Sequence, residues 1–479
     1  MGSKAKYTPQ GGMIMKLFTV SNNNLKFGDR LVPSFYYYTT IIKEEHRKKG
    51  IEYFVLGDYA SVSDGEHSAI PRNNKEGIRY LYGRNIKEGV VDFDPISDDS
   101  YIYPYDYESF KRCHIKENDV LIAIYGTVGK SAIYKEEYIG VAGIPRHISN
   151  ITLKKNAPIT PEYLTAYFRS KEGKKQIFST ITGNIQQLFS LKNIRQFEVP
   201  IIDNKTMSII TENEKTALNY EMEANKRIKA AQSEFYNGLK FDIKAIIRDF
   251  CFSVNSEDVF KNNTWSMNFY DRLYVKVADA LVKNNGCYTI REIATTKHGD
   301  EVGSNCYKEF VDRDLSDKSF IRTSDIVNHE VDLYPDYYID QCDAKDVKQK
   351  CEAGDVIFTK DGKVGCTGMI TSSDDVILSS GIEIIRLKES AKKEGLTQEY
   401  LFTALSIQEV GLYGAIRRTV VASTIPHLRE ERLRDIEIPK MEKKHIERIT
   451  ELIKEAFELK SKRKELLKKN YLILEKHFA

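Results

Sequence analysis

One stretch of the sequence occurs twice, first as Asn118–Lys130 and again as Gly354–Cys366. In each copy an aspartate precedes a β-branched or aromatic run, and two glycines three residues apart follow that run. The two aspartates, Asp119 and Asp355, are 236 positions apart, which is about half of the 479-residue chain. A period of this length is too long for a solenoid repeat, so the sequence predicts two whole domains in tandem.

Other landmarks recur in the same order, with offsets between 234 and 240 residues. Within each copy, short β-like runs between glycine-rich loops lead into a helical segment, and a strand ending in proline closes the unit. We therefore predict a mixed α+β fold for each copy. The corresponding segments are Leu56–Ala60 and Ile290–Ala294, Glu162–Leu164 and Glu399–Leu401, and Ile194–Pro200 and Leu433–Pro439.

A long charged helix is predicted after each unit, over residues 205–239 and 443–476. Apolar residues recur there at alternating steps of three and four, which is a heptad seam. About 35 residues at roughly 1.5 Å each give a helix of about 50 Å. Such helices need partners, so we expect them to pack antiparallel and to relate the copies by a pseudo-two-fold axis. The seam residues that we predict to take part in partner binding are Ile210, Ile228, Phe235, Ile446, Ile453, Leu459 and Leu467.

An aromatic patch opens each half, Phe35–Tyr38 in the first and Trp265–Tyr270 in the second. We expect these side chains to pack at a domain edge, with stacking on nucleic-acid bases as the alternative.

The composition is that of an ordinary globular protein, with 41% hydrophobic and 29% charged residues and a net charge of +3. No apolar run approaches the 18 residues of a membrane span, and Met1–Gln10 lacks the apolar core of a secretory signal. The seven cysteines are scattered without a CxxC pair, which argues against zinc and for reduced thiols. We therefore expect a cytoplasmic protein of two or three domains.

Motifs for catalysis are not convincing in this sequence. Gly129-Lys130-Ser131 lacks the glycine that a phosphate-binding loop needs five residues earlier, where Ile124 stands. Pro335-Asp336 with Lys345 matches the letters of a nuclease pattern, but its spacing is short and the first copy has Ser109 in place of the lysine. No HExxH or GxSxG motif is present. We predict no catalytic residues, no metal and no cofactor.

Several loops instead mix basic, amide and hydroxyl side chains. Arg and Lys read guanine edges, Asn and Gln read adenine, and Lys and Ser hold phosphates. Solvated loops have a similar composition, so each position is an individual hypothesis. The predicted DNA-binding residues are Ser68, Arg72, Asn73, Arg84, Asn85, Lys130, Arg146, His147, Asn184, Gln186 and Gln187 in the first half, and Lys297, His298, Arg322, Thr323, Ser324, Lys360, Lys363, Arg417 and Arg418 in the second.

The repeated unit resembles the specificity subunit of Type I restriction–modification systems. The resemblance is carried by Asp119–Lys130 and Asp355–Cys366, by the Glu-Tyr-Leu segments, and by the strand and long helix that close each unit. Thr424–Leu428 is similar to the segment that precedes the last strand in that family. The resemblance covers nearly the whole chain, although residues 1–55 are longer and more aromatic than the family pattern.

The resemblance implies two target recognition domains, at residues 1–204 and 251–440, held apart by spacer helices at 205–250 and 441–479. Each domain would read one half of an asymmetric bipartite site in double-stranded DNA. The helices would dock two methyltransferase subunits, which bring S-adenosylmethionine, and a motor or restriction subunit could join. The chain itself would be a non-catalytic DNA-binding subunit in phage defence.

Three alternatives remain open from the sequence. The chain could serve a related methylation-based defence system, it could be a DNA-modifying or DNA-cleaving enzyme with an unrecognised site, or it could be a protein-only scaffold.

Overall fold

The computed structural model describes residues 33–73, 76–92, 101–181, 187–249, 251–421 and 425–478. Over these ranges the chain forms two halves with the same order of elements, and each half ends in a long helix.

The first half begins with short helices and ends with a helix of 35 residues. A π-helical turn at Tyr37–Ile42 and 3-10 turns at Gly83–Asn85 and Lys111–Cys113 join its elements. These elements are α1 (Pro33–Tyr36), α2 (Lys43–Lys48), β1 (Tyr53–Val55), α3 (Leu56–Tyr59), β2 (Ala60–Asp64), β3 (Ile78–Tyr80), β4 (Tyr101–Ile102), α4 (Pro104–Ser109), β5 (Val120–Ala123), β6 (Ser131–Ile133), α5 (Glu136–Ile139), β7 (Ala142–Gly143), β8 (Ile148–Leu153), α6 (Pro161–Arg169), α7 (Lys171–Thr180), α8 (Leu191–Arg195), β9 (Glu198–Pro200) and α9 (Asn204–Gly238).

The second half repeats this order with extra strands. Its 3-10 turns lie at Ile243–Ala245, Ser304–Cys306, Thr323–Asp325 and Asp343–Asp346, and its π-helical turn at Gln408–Leu412. The elements are α10 (Ser256–Asn262), α11 (Met267–Tyr270), α12 (Arg272–Asn285), β10 (Cys287–Thr289), α13 (Ile290–Ile293), β11 (Ala294–His298), β12 (Tyr307–Glu309), β13 (Lys318–Ile321), β14 (Ile326–Val327), β15 (Glu330–Val331), β16 (Tyr337–Ile339), β17 (Val356–Thr359), β18 (Thr367–Met369), β19 (Val376–Leu378), β20 (Ile382–Leu387), α14 (Glu389–Lys393), α15 (Gln398–Ser406), α16 (Tyr413–Arg418), β21 (Val420–Val421), β22 (Pro426–His427), α17 (Glu430–Leu433), β23 (Glu437–Pro439) and α18 (Lys443–Phe478).

The main sheet and the closing ribbon have the same topology in the two halves. A four-stranded antiparallel sheet has the order β2-β8-β5-β6 in the first half and β11-β20-β17-β18 in the second. A two-stranded ribbon then joins the start of each unit to its end, β1 with β9 and β10 with β23. These matching orders confirm the predicted duplication and the mixed α+β class.

The motif that revealed the duplication forms the central strand and hairpin of each four-stranded sheet. Strand β5 is buried on both faces, with Val120 and Ile122 in one apolar cluster and Leu121 in another, which explains its continuous apolar run. The paired glycines follow because both positions of the turn have positive φ, 75° at Gly126 and 83° at Gly129. The second hairpin has 64° and 93° at the equivalent glycines.

The invariant aspartate of the motif holds the turn before the strand. The Asp119 carboxylate accepts the Lys116 backbone N–H at 2.8 Å, and Asp355 accepts the Glu352 N–H at 2.7 Å. In the second half Arg386, on strand β20, also pairs with Asp355. The aspartate is therefore a structural residue in both halves.

Helices α9 and α18 pack antiparallel along their whole length, as the heptad seam predicts. Asn213 donates to Asn470 at 2.7 Å near one end, and His445 lies 2.6 Å from Glu234 near the other. Arg227 reaches Glu455 between them at 2.7 Å. The bounds of α9 differ from the predicted ones by one residue at each end, whereas α18 begins at the predicted Lys443 and ends two residues later than predicted.

The aromatic patches behave differently in the two halves. Tyr36 and Tyr38 are buried, as edge packing predicts. In the second half the Phe269 ring lies beside the Arg417 guanidinium, 5.1 Å from its centroid, whereas Trp265 is 79% exposed. Packing therefore accounts for the first patch and for part of the second.

The two halves contact each other directly, which differs from the expectation that paired helices alone hold them apart. Lys130 of the first half lies 2.9 Å from Asp336 of the second. The Asn328 side chain donates to the Val91 carbonyl at 2.9 Å across the same contact. Complementary polar groups on both halves thus close the gap beside the helix pair.

Candidate nucleic-acid interface

In the first half, an arginine and tyrosine stack lies beside the 3-10 turn at Gly83–Asn85. The Arg72 guanidinium is 3.8 Å from the Tyr80 ring centroid and 4.8 Å from that of Tyr82, and the Arg84 guanidinium is 4.5 Å from Tyr82. The Arg84 side chain is exposed, whereas that of Arg72 is half-buried. Tyrosine faces hold both arginines by cation–π contact, which pre-orients their guanidinium groups.

Asn85 has a structural role in this turn. Its side-chain oxygen accepts the Tyr82 N–H at 2.8 Å, and its amide donates to the Asp92 carbonyl at 3.0 Å. Because the side chain is buried and its groups are used within the chain, Asn85 supports the exposed Arg84.

The glycine hairpin between β5 and β6 extends the same surface. The Thr127 hydroxyl donates to the Gly83 carbonyl at 2.9 Å, which ties the hairpin to the arginine-bearing turn. The Tyr125 ring meets the His147 ring edge-on, with centroids 5.4 Å apart. Burial, and then the charge of neighbouring Arg146, lowers the pKa of His147, so its imidazole is neutral at pH 7. Neutral imidazole offers one donor and one acceptor for base edges.

Three further residues of the predicted first-half set are described. Ser68 and Gln187 are exposed, and Asn73 is half-buried. The Ser68 backbone N–H donates to Glu66 at 2.8 Å, which fixes that loop. Asn184 and Gln186 lie outside the described residues.

The second half carries a different set of groups at the equivalent turn. Arg322 stands where the first half has Tyr82; its guanidinium is 4.3 Å from the Tyr337 ring centroid and donates to Asp336 at 3.1 Å. Thr323 is half-buried and Ser324 is exposed beside it. The two surfaces thus share a backbone frame and differ in side-chain chemistry.

The hairpin between β17 and β18 also borders this second surface. The Gly362 N–H donates to the Pro426 carbonyl at 3.0 Å, and His427 pairs with Asp361. Lys297 and His298, at the end of β11, are exposed, and Lys297 donates to the Lys348 carbonyl at 2.8 Å.

Four of the predicted basic residues are engaged inside the protein. Lys360 is buried with Glu383 at 3.0 Å, and Arg418 is buried with Glu437 at 2.7 Å. Lys130 is 7% exposed at the contact between the halves, and Lys363 lies there too, 3.7 Å from Asp92. Because carboxylates within the chain neutralise their charges, these four residues do not belong to the candidate interface.

Arg417 is half-buried, and its guanidinium donates to the Phe269 carbonyl at 3.2 Å. Its guanidinium also lies 5.1 Å from the centroid of the Phe269 ring, so Arg417 packs against the second aromatic patch.

The helix seam residues lie inside the chain. Ile210 belongs to the core of the first half, and Ile228, Phe235, Ile446 and Ile453 belong to that of the second. Leu467 joins a smaller cluster with Tyr334, and Leu459 is partly buried. A docking partner would therefore meet the exposed sides of the two helices.

Sequence reasoning missed a buried charge cluster at the middle of the helix pair. Lys460 is fully buried between Glu221, at 3.2 Å, and Glu330, at 2.9 Å, and Lys464 lies 2.9 Å from Glu330. The cluster fastens the second half to both helices. Its sequence signal is a set of charges at helix positions that face inward, which becomes visible only once the facing residues are known.

Among the described residues, no cluster of His, Cys, Asp and Glu could hold a metal ion. No helix in the same part of the chain is long and apolar enough to cross a membrane.

Comparison with known proteins bears on the second half most directly. Residues 284–469 match the family model of the Type I restriction modification DNA specificity domain. The match confirms the predicted resemblance over these residues of the second half. No curated protein matches the chain.

Solved structures with a similar chain course include three from Type I systems. The S subunit from M. genitalium is 11% identical, with a TM-score of 0.33 over 90% of this chain and 96% of that one. The HsdS subunit from Thermoanaerobacter tengcongensis is 14% identical, with a TM-score of 0.27 over 90% and 96%. A structure titled for complex assembly and conformational transition of the Type I R-M system is 14% identical, with a TM-score of 0.27 over 89% and 97%.

Proposed function

We propose that the chain is the DNA-specificity subunit of a restriction–modification methyltransferase complex. The observation that carries the proposal is the match of residues 284–469 to a DNA specificity domain, in a chain whose first half repeats the same sheet topology. Two such units in one chain suit a site with two separate parts.

Each unit would read one half-site through the surface beside its 3-10 turn and glycine hairpin. In the first half these are the exposed Arg84, Arg146 and His147, backed by Arg72. In the second they are Arg322 with the Thr323–Ser324 hydroxyls, and Lys297 with His298. Because the two sets differ in chemistry, the two half-sites would differ in sequence and the whole site would be asymmetric.

The recognition domains would span residues 1–204 and 251–440, with spacer helices at 205–250 and 441–479. Two methyltransferase subunits would dock on the exposed sides of α9 and α18, bring S-adenosylmethionine and carry out the methyl transfer. This chain would recognise the DNA sequence.

The test is to co-express the chain with its neighbouring methyltransferase and to map methylated bases across a host genome. The expected result is one bipartite motif with two unlike halves, present only when both proteins are made. A matched strain with the methyltransferase alone is the control. The same methylation pattern without this chain would contradict the proposal, as would cleavage or methylation of DNA by the purified chain alone.

A further inference from the structure

A reciprocal pair of ion contacts joins the two halves. Lys130, from the first glycine hairpin, reaches Asp336 at 2.9 Å and Asp332 at 3.9 Å. Lys363, from the second hairpin, reaches Asp92 of the first half at 3.7 Å. Each half therefore places a hairpin lysine against a carboxylate of the other half.

The two carboxylates Asp92 and Asp332 occupy equivalent positions. The Asp92 N–H donates to the Asn85 carbonyl at 2.7 Å, and the Asp332 N–H donates to the Asp325 carbonyl at the same distance. The two ion contacts are thus related by the approximate two-fold axis, because each uses the equivalent carboxylate of its own half. The duplication accounts for the shared frame, while the lysines stand at different positions in the two hairpins.

The contact is buried, so separating the two halves there costs free energy. Lys130 is 7% exposed and Asp332 8% exposed. Burial alone would lower the pKa of Lys130, but Asp332 and then Asp336 outweigh it and raise that pKa above its ordinary value. Separating the halves would leave these charges without their partners. Lys87 adds a hydrogen bond between the halves, because its Nζ donates to the Ser324 backbone carbonyl at 3.2 Å.

Asp336 also belongs to the second DNA surface. Its other carboxylate oxygen accepts from Arg322 at 3.1 Å, while Lys130 of the first half holds the first oxygen. The arginine proposed to read DNA is therefore anchored to the same carboxylate that joins the halves. The position of the second surface relative to the first is determined at this carboxylate.

We propose that this contact, and not the helix pair alone, sets the number of base pairs between the two half-sites. Lys130 and Lys363 are then positioning residues that act through the placement of the halves. The inference rests on the proposed function. Base pairs are stacked about 3.4 Å apart, so a shift of a few ångströms between the surfaces changes the spacer by one base pair.

The experiment uses the full chain with Lys130→Met, Lys363→Met and both substitutions together. Lys135→Met is the matched control: Lys135 pairs with Glu117 inside the first half at 3.1 Å, and its 27% exposure matches the 26% of Lys363. Hydrogen exchange of the DNA-free chain reports the contact at residues 87–92 and 326–332. Affinity of the assembled methyltransferase complex for duplexes with spacers that differ by single base pairs reports the positioning.

The wild type and Lys135→Met are expected to prefer one spacer, and the double variant is expected to lose that preference by about tenfold or more, with faster exchange at the contact. A lost phosphate contact would instead weaken binding to all spacers equally, and that result would overturn the proposal. An unchanged spacer preference, with or without faster exchange, would overturn it as well. If Lys130→Met does not fold, Lys363→Met alone, at the more exposed site, decides by the same criteria.

Failure of the proposed function is distinguishable from failure of this inference. A wild-type complex that binds every duplex with the same affinity would overturn both the proposed recognition of a bipartite site and the spacer inference. A wild type with clear half-site specificity and unchanged spacer preference in the variants would overturn the inference alone.

Discussion

At the scale of single residues, adjacent residues in one loop differ in role: one stabilises the loop and the next is exposed to solvent. Asn85 is buried and completes the turn, while Arg84 beside it is exposed on the face of Tyr82. The hairpin glycines are also structural residues: their positive φ angles form the turn on which Thr127 lies. Residue type alone does not separate a side chain that builds the loop from one that can reach DNA.

Replacement of one reading arginine should affect one half-site only. Arg84→Ala is expected to relax the first half-site and Arg322→Ala the second, at a cost of about 1–3 kcal/mol in discrimination for each lost base contact. Binding of duplexes randomised in one half at a time measures this effect.

Asn85→Ala is the contrasting variant, because it leaves buried backbone groups without partners and should lower stability by about 1–3 kcal/mol. If Arg84→Ala weakens binding to random and cognate DNA equally, the arginine holds phosphate and does not read bases.

The buried cluster around Glu330 should show in the acid stability of the protein. Burial alone would raise the pKa of Glu330, but Lys460, Lys464 and Arg463 outweigh it and lower the pKa from 4.5 to about 2. The folded state therefore binds fewer protons than the unfolded state between these values. The resulting stabilisation, about 3 kcal/mol, is complete above pH 4.5 and is lost as the pH falls through about 2.

Glu330→Gln removes this titration. Unfolding free energies from urea titrations across the acid range should then rise less steeply with pH than in the wild type, by up to about 1.4 kcal/mol per pH unit. Parallel curves for the two proteins would contradict the assignment.

At the scale of elements, the two long helices have an inner and an outer side. Their seam residues, such as Phe235 and Ile453, are buried in the cores of the halves. The opposite side of α18 carries exposed charges, among them Lys454 and Lys469. Under the proposed function, assembly with a partner and folding of the chain would therefore depend on different residues of the same helix.

Charge reversal on the outer side of α18 should weaken methyltransferase docking without unfolding the chain. Lys454→Glu with Lys469→Glu is expected to shift the complex toward free subunits on a sizing column. Lys261→Glu, an exposed reversal on α10 away from the helix pair, is the matched control.

Phe235→Ala, by contrast, should lower stability by about 3–5 kcal/mol, because it removes a fully buried ring. Complex formation that is unaffected by both α18 reversals would mean that the partner docks elsewhere.

At the scale of the whole molecule, one chain presents two unlike surfaces on one frame. The frame is the helix pair, the buried charge cluster and the contact between the halves. All three join residues more than 100 positions apart, so the placement of the two surfaces depends on packing across the whole chain.

Lengthening both helices should move the half-sites apart without changing their sequences. Seven residues, one heptad, added to both α9 and α18 would shift the halves by about 10 Å, or roughly three base pairs. Mapping of methylated sites should then show the same half-sites with longer and less sharply defined spacers, because the shift also separates Lys130 from Asp336. Altered half-site sequences would contradict the idea that base recognition and spacer length depend on different parts of the chain. A variant with only one lengthened helix is the control, because it disrupts the packing of the two helices.

The sequence by itself determined the duplication, the α+β class of each copy and the antiparallel helix pair. These follow from local rules: glycines where φ is positive, an apolar run where a strand is buried, and heptad spacing where two helices meet. It also indicated the loops that carry exposed arginines, including Arg84 and Arg146. Local pattern suffices for these features because each depends on neighbours within a few residues in the chain.

Only the tertiary structure decided which charged residues are exposed and how the halves are placed. Lys130 and Arg84 look alike as basic loop residues, yet Lys130 is buried against carboxylates from more than 200 positions away, whereas Arg84 is exposed. The contact between the halves likewise joins groups that no sequence window contains. The burial of a charge depends on what faces it, and that is determined by packing across the whole chain.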